Sequence, residues 1–237
     1  MTRFQEYFSE LINKFNEHHS NLLQETTEED IHKIRTTLKK LRTFNILLDG
    51  LLFRDKDFPI ELKNLFKSSG EIRDIQIQLN ILKDYEDNYK DYLLSLYNSK
   101  LEKFKIKEDY QQELQYLSDK LDKVEDYHID EQIIANIKAR IEVNLDETKE
   151  MISNVSIDNL HEIRTKIKRS FYTRLMLGIV DNIEILDEIQ ETIGTWHDLE
   201  VTLQYVNEFD DKSNIIRLLS DKRDIYYNKS LELLKNL

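Results

Sequence analysis

Cysteine is absent from this chain, which removes disulfides and thiolate metal sites from consideration. One proline and four glycines are spread over 237 residues, too few turn-formers for a fold of many short strands. Long uninterrupted helices are expected instead. No run of about 18 apolar residues occurs, so a membrane-spanning helix is not expected, and the opening MTRFQEYFSELINKF lacks the apolar stretch of a secretory signal. The expectation is a soluble, cytoplasmic protein that stays off membranes. At 40% hydrophobic content there is enough apolar material for a core. Positive charge is in deficit: 34 Lys and Arg face 46 Asp and Glu, a formal net charge of −12. A field of that sign repels polyanions.

The distribution reverses the inference. Residues 31–43 and 160–178 carry ten basic residues against one acid, Glu162, a balance of +9 that leaves −21 for the rest of the chain. The two stretches, IHKIRTTLKKLR at 31–42 and LHEIRTKIKR at 160–169, nearly repeat one another. The repeat extends further. Gly50 and Gly178 follow their histidines, His32 and His161, by 18 and 17 residues, and Gly70 and Gly194 follow them by 38 and 33. After the second glycine of each set, GEIRDIQIQLNIL aligns with GTWHDLEVTLQYV, which puts Arg73 opposite His197 and Asp74 opposite Asp198. Two copies of one helical unit are expected, about 1–100 and about 150–237, joined by long helices over about 101–150 within a single domain.

Apolar residues recur at helical spacing through most of the chain, as at Phe4, Tyr7, Phe8, Leu11, Ile12 and Phe15. Thr26 with Glu29, or Thr27 with Asp30, reads as a capping box before the first basic helix, and Ser156 and Asp158 offer caps for the second. RDKDFP at 54–59 reads as a solvated loop, with Pro59 ending a helical pattern.

On a helix, His32, Arg35, Lys39 and Arg42 fall on one stripe, and Ile31, Ile34, Leu38 and Leu41 on a second about 100° away. His161, Arg164 and Lys168 repeat the cationic stripe, and Leu160, Ile163 and Ile167 the apolar one. Phe171 stands where Arg42 would recur. Solvated faces ordinarily mix signs, because like charges one turn apart cost a few tenths of a kcal/mol per pair. Stripes without acids in an acid-rich chain point to an external anion or to acids on facing helices. A histidine near a basic helix start can donate to a phosphate oxygen.

These residues resemble the conserved histidine α-helical domain family, CHAD. Its pattern, roughly H-x-x-R-x-x-x-(K/R)-(K/R)-x-R, stands here as His32, Arg35, Lys39, Lys40, Arg42 and again as His161, Arg164, Lys168, Arg169. The later G-x-x-R-D and G-x-x-x-D elements are similar to Gly70, Arg73, Asp74 and Gly194, Asp198. The resemblance covers nearly the whole chain. It implies an all-α fold of two pseudo-symmetric helical bundles around a basic central channel that binds inorganic polyphosphate. Phe171 and the acidic remainder depart from the pattern and bear on affinity.

The candidate contacts are Arg35, Lys39, Arg42, Arg164 and Lys168, with His32 and His161 as adjustable donors. Lys40, Arg169, Arg73 and His197 stand behind them, since Lys40 and Arg169 lie about 100° off the stripe. Asp74 and Asp198 are expected to orient basic side chains or cap helices. Glu29-x-x-His32 and Asp158-x-x-His161 mimic di-iron elements, yet cationic side chains one turn beyond each histidine disfavour a metal. His197-Asp198 alone is a weak metal signal. With no phosphate-binding loop, no serine nucleophile elbow and no cysteine, a non-catalytic protein without cofactor is expected. The other readings are an RNA or other phosphate-chain binder, disfavoured by the scarcity of stacking aromatics on the stripes, and a helical scaffold for an acidic protein partner. Association with polyphosphate granules would follow from the first reading.

Overall fold

The computed structural model describes residues 3–51, 58–85, 88–125, 131–209 and 215–237, and for residues 3–4, 47–51, 123–125 and 131–134 only the backbone. Among the described residues there are helices and no strands. In chain order they are α1 (Arg3–Gln24), α2 (Glu28–Leu51), α3 (Ile60–Ile81), α4 (Asn88–Lys103), α5 (Gln111–Glu125), α6 (Glu131–Ser153), α7 (Ile157–Leu177), α8 (Ile183–Phe209) and α9 (Ile215–Leu234). The fold is all-α, as expected.

The chain forms two compact units that interleave in sequence: Met1–Arg73, Lys103–Ile141 and Tyr172–Ile179 make unit 1, and Asp74–Glu102, Glu142–Phe171 and Val180–Leu237 make unit 2. In unit 1 the apolar stripe of α2 is sealed, with Ile31, Ile34, Leu38 and Leu41 fully buried. α1 packs on α2, where the Phe8 and Phe44 rings lie 5.3 Å apart. In unit 2 the corresponding Leu160, Ile163 and Ile167 of α7 are equally buried. α8 and α9 pack together, and Ile75, Leu82, Tyr89, Leu93, Leu199, Val206, Ile215 and Leu219 form one apolar cluster. Each such side chain contributes roughly 1.5–3 kcal/mol when fully buried. That burial fixes which face of each basic helix turns away from the core.

The helix starts are set locally. Thr27 caps α2: its hydroxyl accepts from the Asp30 amide at 3.1 Å and donates to the Asp30 carboxylate at 2.5 Å. The second of the two expected registers is therefore the one adopted. Thr26 instead donates to the Leu22 carbonyl at the end of α1. Ser156 stands at the start of α7, where its amide donates to the Asn159 side chain at 2.8 Å and its carbonyl accepts from Leu160. Asp158 lies in the first turn, where a carboxylate complements the helix dipole. α7 closes at Gly178, whose φ is +66°. The amide of Ile179 reaches back to the Arg174 carbonyl at 2.9 Å, a Schellman closure.

One local expectation is met in part and one needs correcting. Phe58 and Pro59 lie outside any helix, as the expected loop requires, and Pro59 stands just before α3, its carbonyl accepting from Lys63 at 3.0 Å, where a missing N–H costs nothing. Residues 54–57 of the expected loop lie outside the described residues. The helical pattern also breaks over residues 104–110, where no glycine or proline announces it. Tertiary contacts hold that break. His19 Nε2 lies 2.8 Å from the Lys107 carbonyl, and buried Tyr110 sets its ring edge-on to Phe15 at 5.6 Å and to His19 at 5.3 Å.

Candidate anion-binding site

In unit 1 the cationic stripe of α2 meets α3. Arg35 passes over the backbone of α3 at Gly70, and its Nη1 donates to the Phe66 carbonyl at 2.8 Å. That carbonyl is four residues before the glycine, so it is an ordinary helical acceptor that takes a second donor. A Cβ on residue 70 would lie 2.9 Å from Arg35 Cζ. Only glycine leaves room for the guanidinium there. The same group lies over the Phe66 ring, 4.5 Å from its centroid, and Arg42 lies 5.8 Å from the same ring.

Unit 2 repeats this seat. Arg164 Nε donates to the Gln190 carbonyl at 3.1 Å, four residues before Gly194. A Cβ on Gly194 would fall 2.7 Å from Arg164 Nη2. The second glycine of each repeat is thus a notch for the arginine of His-x-x-Arg. Spacing alone marks Gly70 and Gly194 as repeat partners, and an arginine at the same repeat position in each copy is the signal that could have exposed their role.

Around His32, which is exposed, the near charges are Arg73, Lys39 and Arg35 against one acid, Glu28. Burial of part of the ring lowers its pKa first, and the three cations lower it further. Three cations thus act on this histidine against one acid in an otherwise acidic chain. Arg73, from α3, is itself anchored by Glu28, Nη1 to Oε1 3.2 Å. Lys33, off the stripe, pairs with Glu29 at 2.6 Å.

In unit 2, His161 on α7 and His197 on α8 place their rings 4.6 Å apart, and Arg164 acts on the same spot. The pKa of half-buried His197 is lowered by burial first, then by His161 and Arg164. Lys168 is half-buried one turn beyond, and Phe171 is half-buried where unit 1 has Arg42. Lys166 reaches Glu147 of α6 at 2.5 Å, and Arg169 also acts on that carboxylate, whose pKa both cations lower.

Of the sequence-selected residues, unit 1 therefore gathers His32, Arg35, Lys39 and Arg73, with Arg42 joined through Phe66. Unit 2 gathers His161, Arg164 and His197. Lys40 is half-buried and Arg169 exposed. Asp74 is exposed and Asp198 half-buried beside them in sequence. Among the described residues no three His, Asp or Glu side chains gather as a metal site, and no helix is long and apolar enough to cross a membrane.

The comparisons with known proteins agree with the all-helical fold. Over 99% of its length the chain is similar to 91% of the chain in the crystal structure of the CHAD domain from the plant Ricinus communis, with a TM-score of 0.71 at 14% identity. At that identity the likeness is one of fold. Among curated proteins none matches the sequence. The CHAD domain family model matches residues 6–207, a stretch that holds both basic helices and both arginine-seating glycines. The chain belongs to the CHAD domain family.

Proposed function

We propose that this protein binds inorganic polyphosphate, without catalysis, through the cationic groups of α2 and α3 in unit 1 and of α7 and α8 in unit 2. The observation that carries the reading is the gathering of Arg35, Lys39 and Arg73 about His32, and of His161 and Arg164 about His197, inside a chain of net charge −12. Like charges gathered twice against the trend of the whole chain call for an anion. Polyphosphate repeats one negative charge per unit and presents no sequence to read. Arginine suits two-pronged phosphate contacts and lysine adapts as a point charge. Charge-assisted hydrogen bonds of about 1.5–3 kcal/mol each would offset the long-range repulsion with only a handful of contacts.

Arg35 and Arg164 are each seated on a neighbouring helix, so substituting them would disturb packing as well as charge. Lys39, Arg42 and Lys168 are the better probes of binding. An RNA chain is the poorer fit, because the ring nearest the unit 1 stripe, Phe66, already carries arginine on its π system and base stacking needs an open aromatic face. The setting this reading expects is the cytoplasm, at polyphosphate granules.

The test is calorimetric titration with medium-length polyphosphate at low and high salt, comparing the wild type with a Lys39→Glu, Arg42→Glu, Lys168→Glu variant that keeps its helical spectrum. Wild-type affinity is expected to fall roughly a thousandfold for a tenfold rise in salt if about five phosphates are contacted, by the slope known for single-stranded nucleic acids. The variant should bind at least a hundredfold more weakly. Wild-type affinity in the variant, or displacement of polyphosphate by an equal concentration of single-stranded RNA, would remove this reading.

A further inference from the structure

Besides Phe171 in place of Arg42, the two units differ at a second position of the cationic group. Where unit 1 has Arg73, a permanent cation tied to Glu28 at 3.2 Å, unit 2 has His197, a group that gains charge only by taking a proton. His197 is stacked obliquely on His161, with centroids 4.6 Å apart and planes inclined at 47°. Two imidazoles this close resist being charged together unless an anion lies against them. The buried ring of Trp196 lies 6.3 Å from that of His197 between centroids. His197 is itself half-buried, so less water is at hand to stabilise an imidazolium.

We propose that His161 and His197 form a proton-loaded phosphate subsite, in which a phosphate oxygen of the bound polyanion accepts from both rings and His197 takes up a proton from solvent as the anion arrives. The proposal rests on the polyphosphate reading and adds its regulation. Unit 1 keeps a fixed charge at the matching position, while unit 2 is armed by acidity. The proton balance is simple: His197 enters neutral, leaves solvent one proton poorer, and returns the proton on release. No bond to phosphorus changes.

The groups around the pair support this sign. From α7, His161 and Arg164 act on His197, and both oppose its protonation in the free protein. On α8 itself, Asp198 is the adjacent acid and Glu200 is engaged by Arg223 of α9 at 3.2 Å. Arg223 also holds Asp224 at 2.7 Å, and Lys229 of α9 faces Glu188 at 3.3 Å. Tyr227 of α9 meets the Trp196 ring at 6.2 Å. The charges acting on His197 are thus positive, and with burial they hold its pKa below the ordinary histidine value. A polyanion reverses that balance.

The experiment uses the full chain in a His32→Gln background, so that His32 contributes no proton. Long-chain polyphosphate, whose titrating end groups are few, is titrated from pH 5.5 to 8 in buffers of different ionisation enthalpy. The His197 imidazole is followed by NMR with and without saturating ligand. Expected are an uptake of about half a proton or more per bound site between the free and bound midpoints, affinity rising at least fivefold from pH 8 to pH 6, and a His197 midpoint that moves up by about one unit or more. His197→Arg should keep binding and lose both uptake and pH slope. Binding whose affinity and His197 midpoint ignore pH and ligand, or wild-type uptake in His197→Arg, would overturn the subsite and leave polyphosphate binding intact. If His197→Arg does not fold, the midpoint in the His32→Gln protein decides. No binding at any pH would remove both proposals together.

Discussion

Gly70 sits in the interior of α3, where alanine would ordinarily stabilise a helix by about 1 kcal/mol. Its reason for being glycine is Arg35, whose Cζ would stand 2.9 Å from an added Cβ. The two effects have opposite signs and can be separated by a double-mutant cycle. Gly70→Ala should destabilise the wild type, because the guanidinium must leave the Phe66 carbonyl and a charge-assisted hydrogen bond is lost. In an Arg35→Ala background the same change should stabilise by up to about 1 kcal/mol, and the coupling read from urea unfolding should be about 1–2 kcal/mol. Gly194 with Arg164 should give the same pattern, since the notch and the carbonyl recur there. Additive single effects would mean that the arginine is not seated. The stripe residues themselves were legible from a 3.6-residue period. The seat was not, because only the folded chain brings Gly70 beneath Arg35.

Among elements, α2 and α7 show which helix features a sequence carries openly. Their buried stripes follow from spacing, and Thr27 was among the caps expected from residue type alone. Thr27→Ala should cost about 1 kcal/mol, measured as a lowered urea midpoint with an unchanged slope. Polyphosphate affinity should hardly change, since Thr27 lies one turn or more before His32, Arg35 and Lys39. The break between α4 and α5 is the opposite case. Residues 104–110 contain no glycine or proline, and their irregular path is imposed by His19 at the Lys107 carbonyl and by the burial of Tyr110 against Phe15. Tyr110→Ala should therefore destabilise by about 3 kcal/mol, as for other large aromatic truncations. A loss below about 1 kcal/mol in chemical unfolding would mean that Tyr110 does not hold the break. The interleaving of the two units is equally silent in sequence. α3, α6 and α7 each pass from one unit to the other within a continuous helix, and such a crossing leaves no mark on the apolar period.

For the molecule as a whole, the excess of acid and the basic groups make opposite demands on the solvent. Without ligand, salt screens the self-repulsion of a chain at −12 and should raise its melting temperature. The same salt should weaken the polyphosphate complex. Acidity separates them again. His18, His32 and His197 all have pKa values below the ordinary 6.5 in the folded protein, each first through burial. As pH falls through 6.5, the unfolded chain takes up these protons before the folded one does. Their contribution to stability is therefore fully present above that value and is lost as pH descends through the folded values. Most carboxylates stay ionised in this window, so they do not cancel the effect. The free protein should melt at a lower temperature at pH 5.5 than at pH 7.5, and a His32→Gln, His197→Gln variant should show a smaller drop. Polyphosphate favours the protonated rings, so the melting-temperature gain it gives the wild type should be larger at pH 5.5 than at pH 7.5. In the variant that difference should shrink. A gain independent of pH in both proteins would show that neither histidine is coupled to the anion.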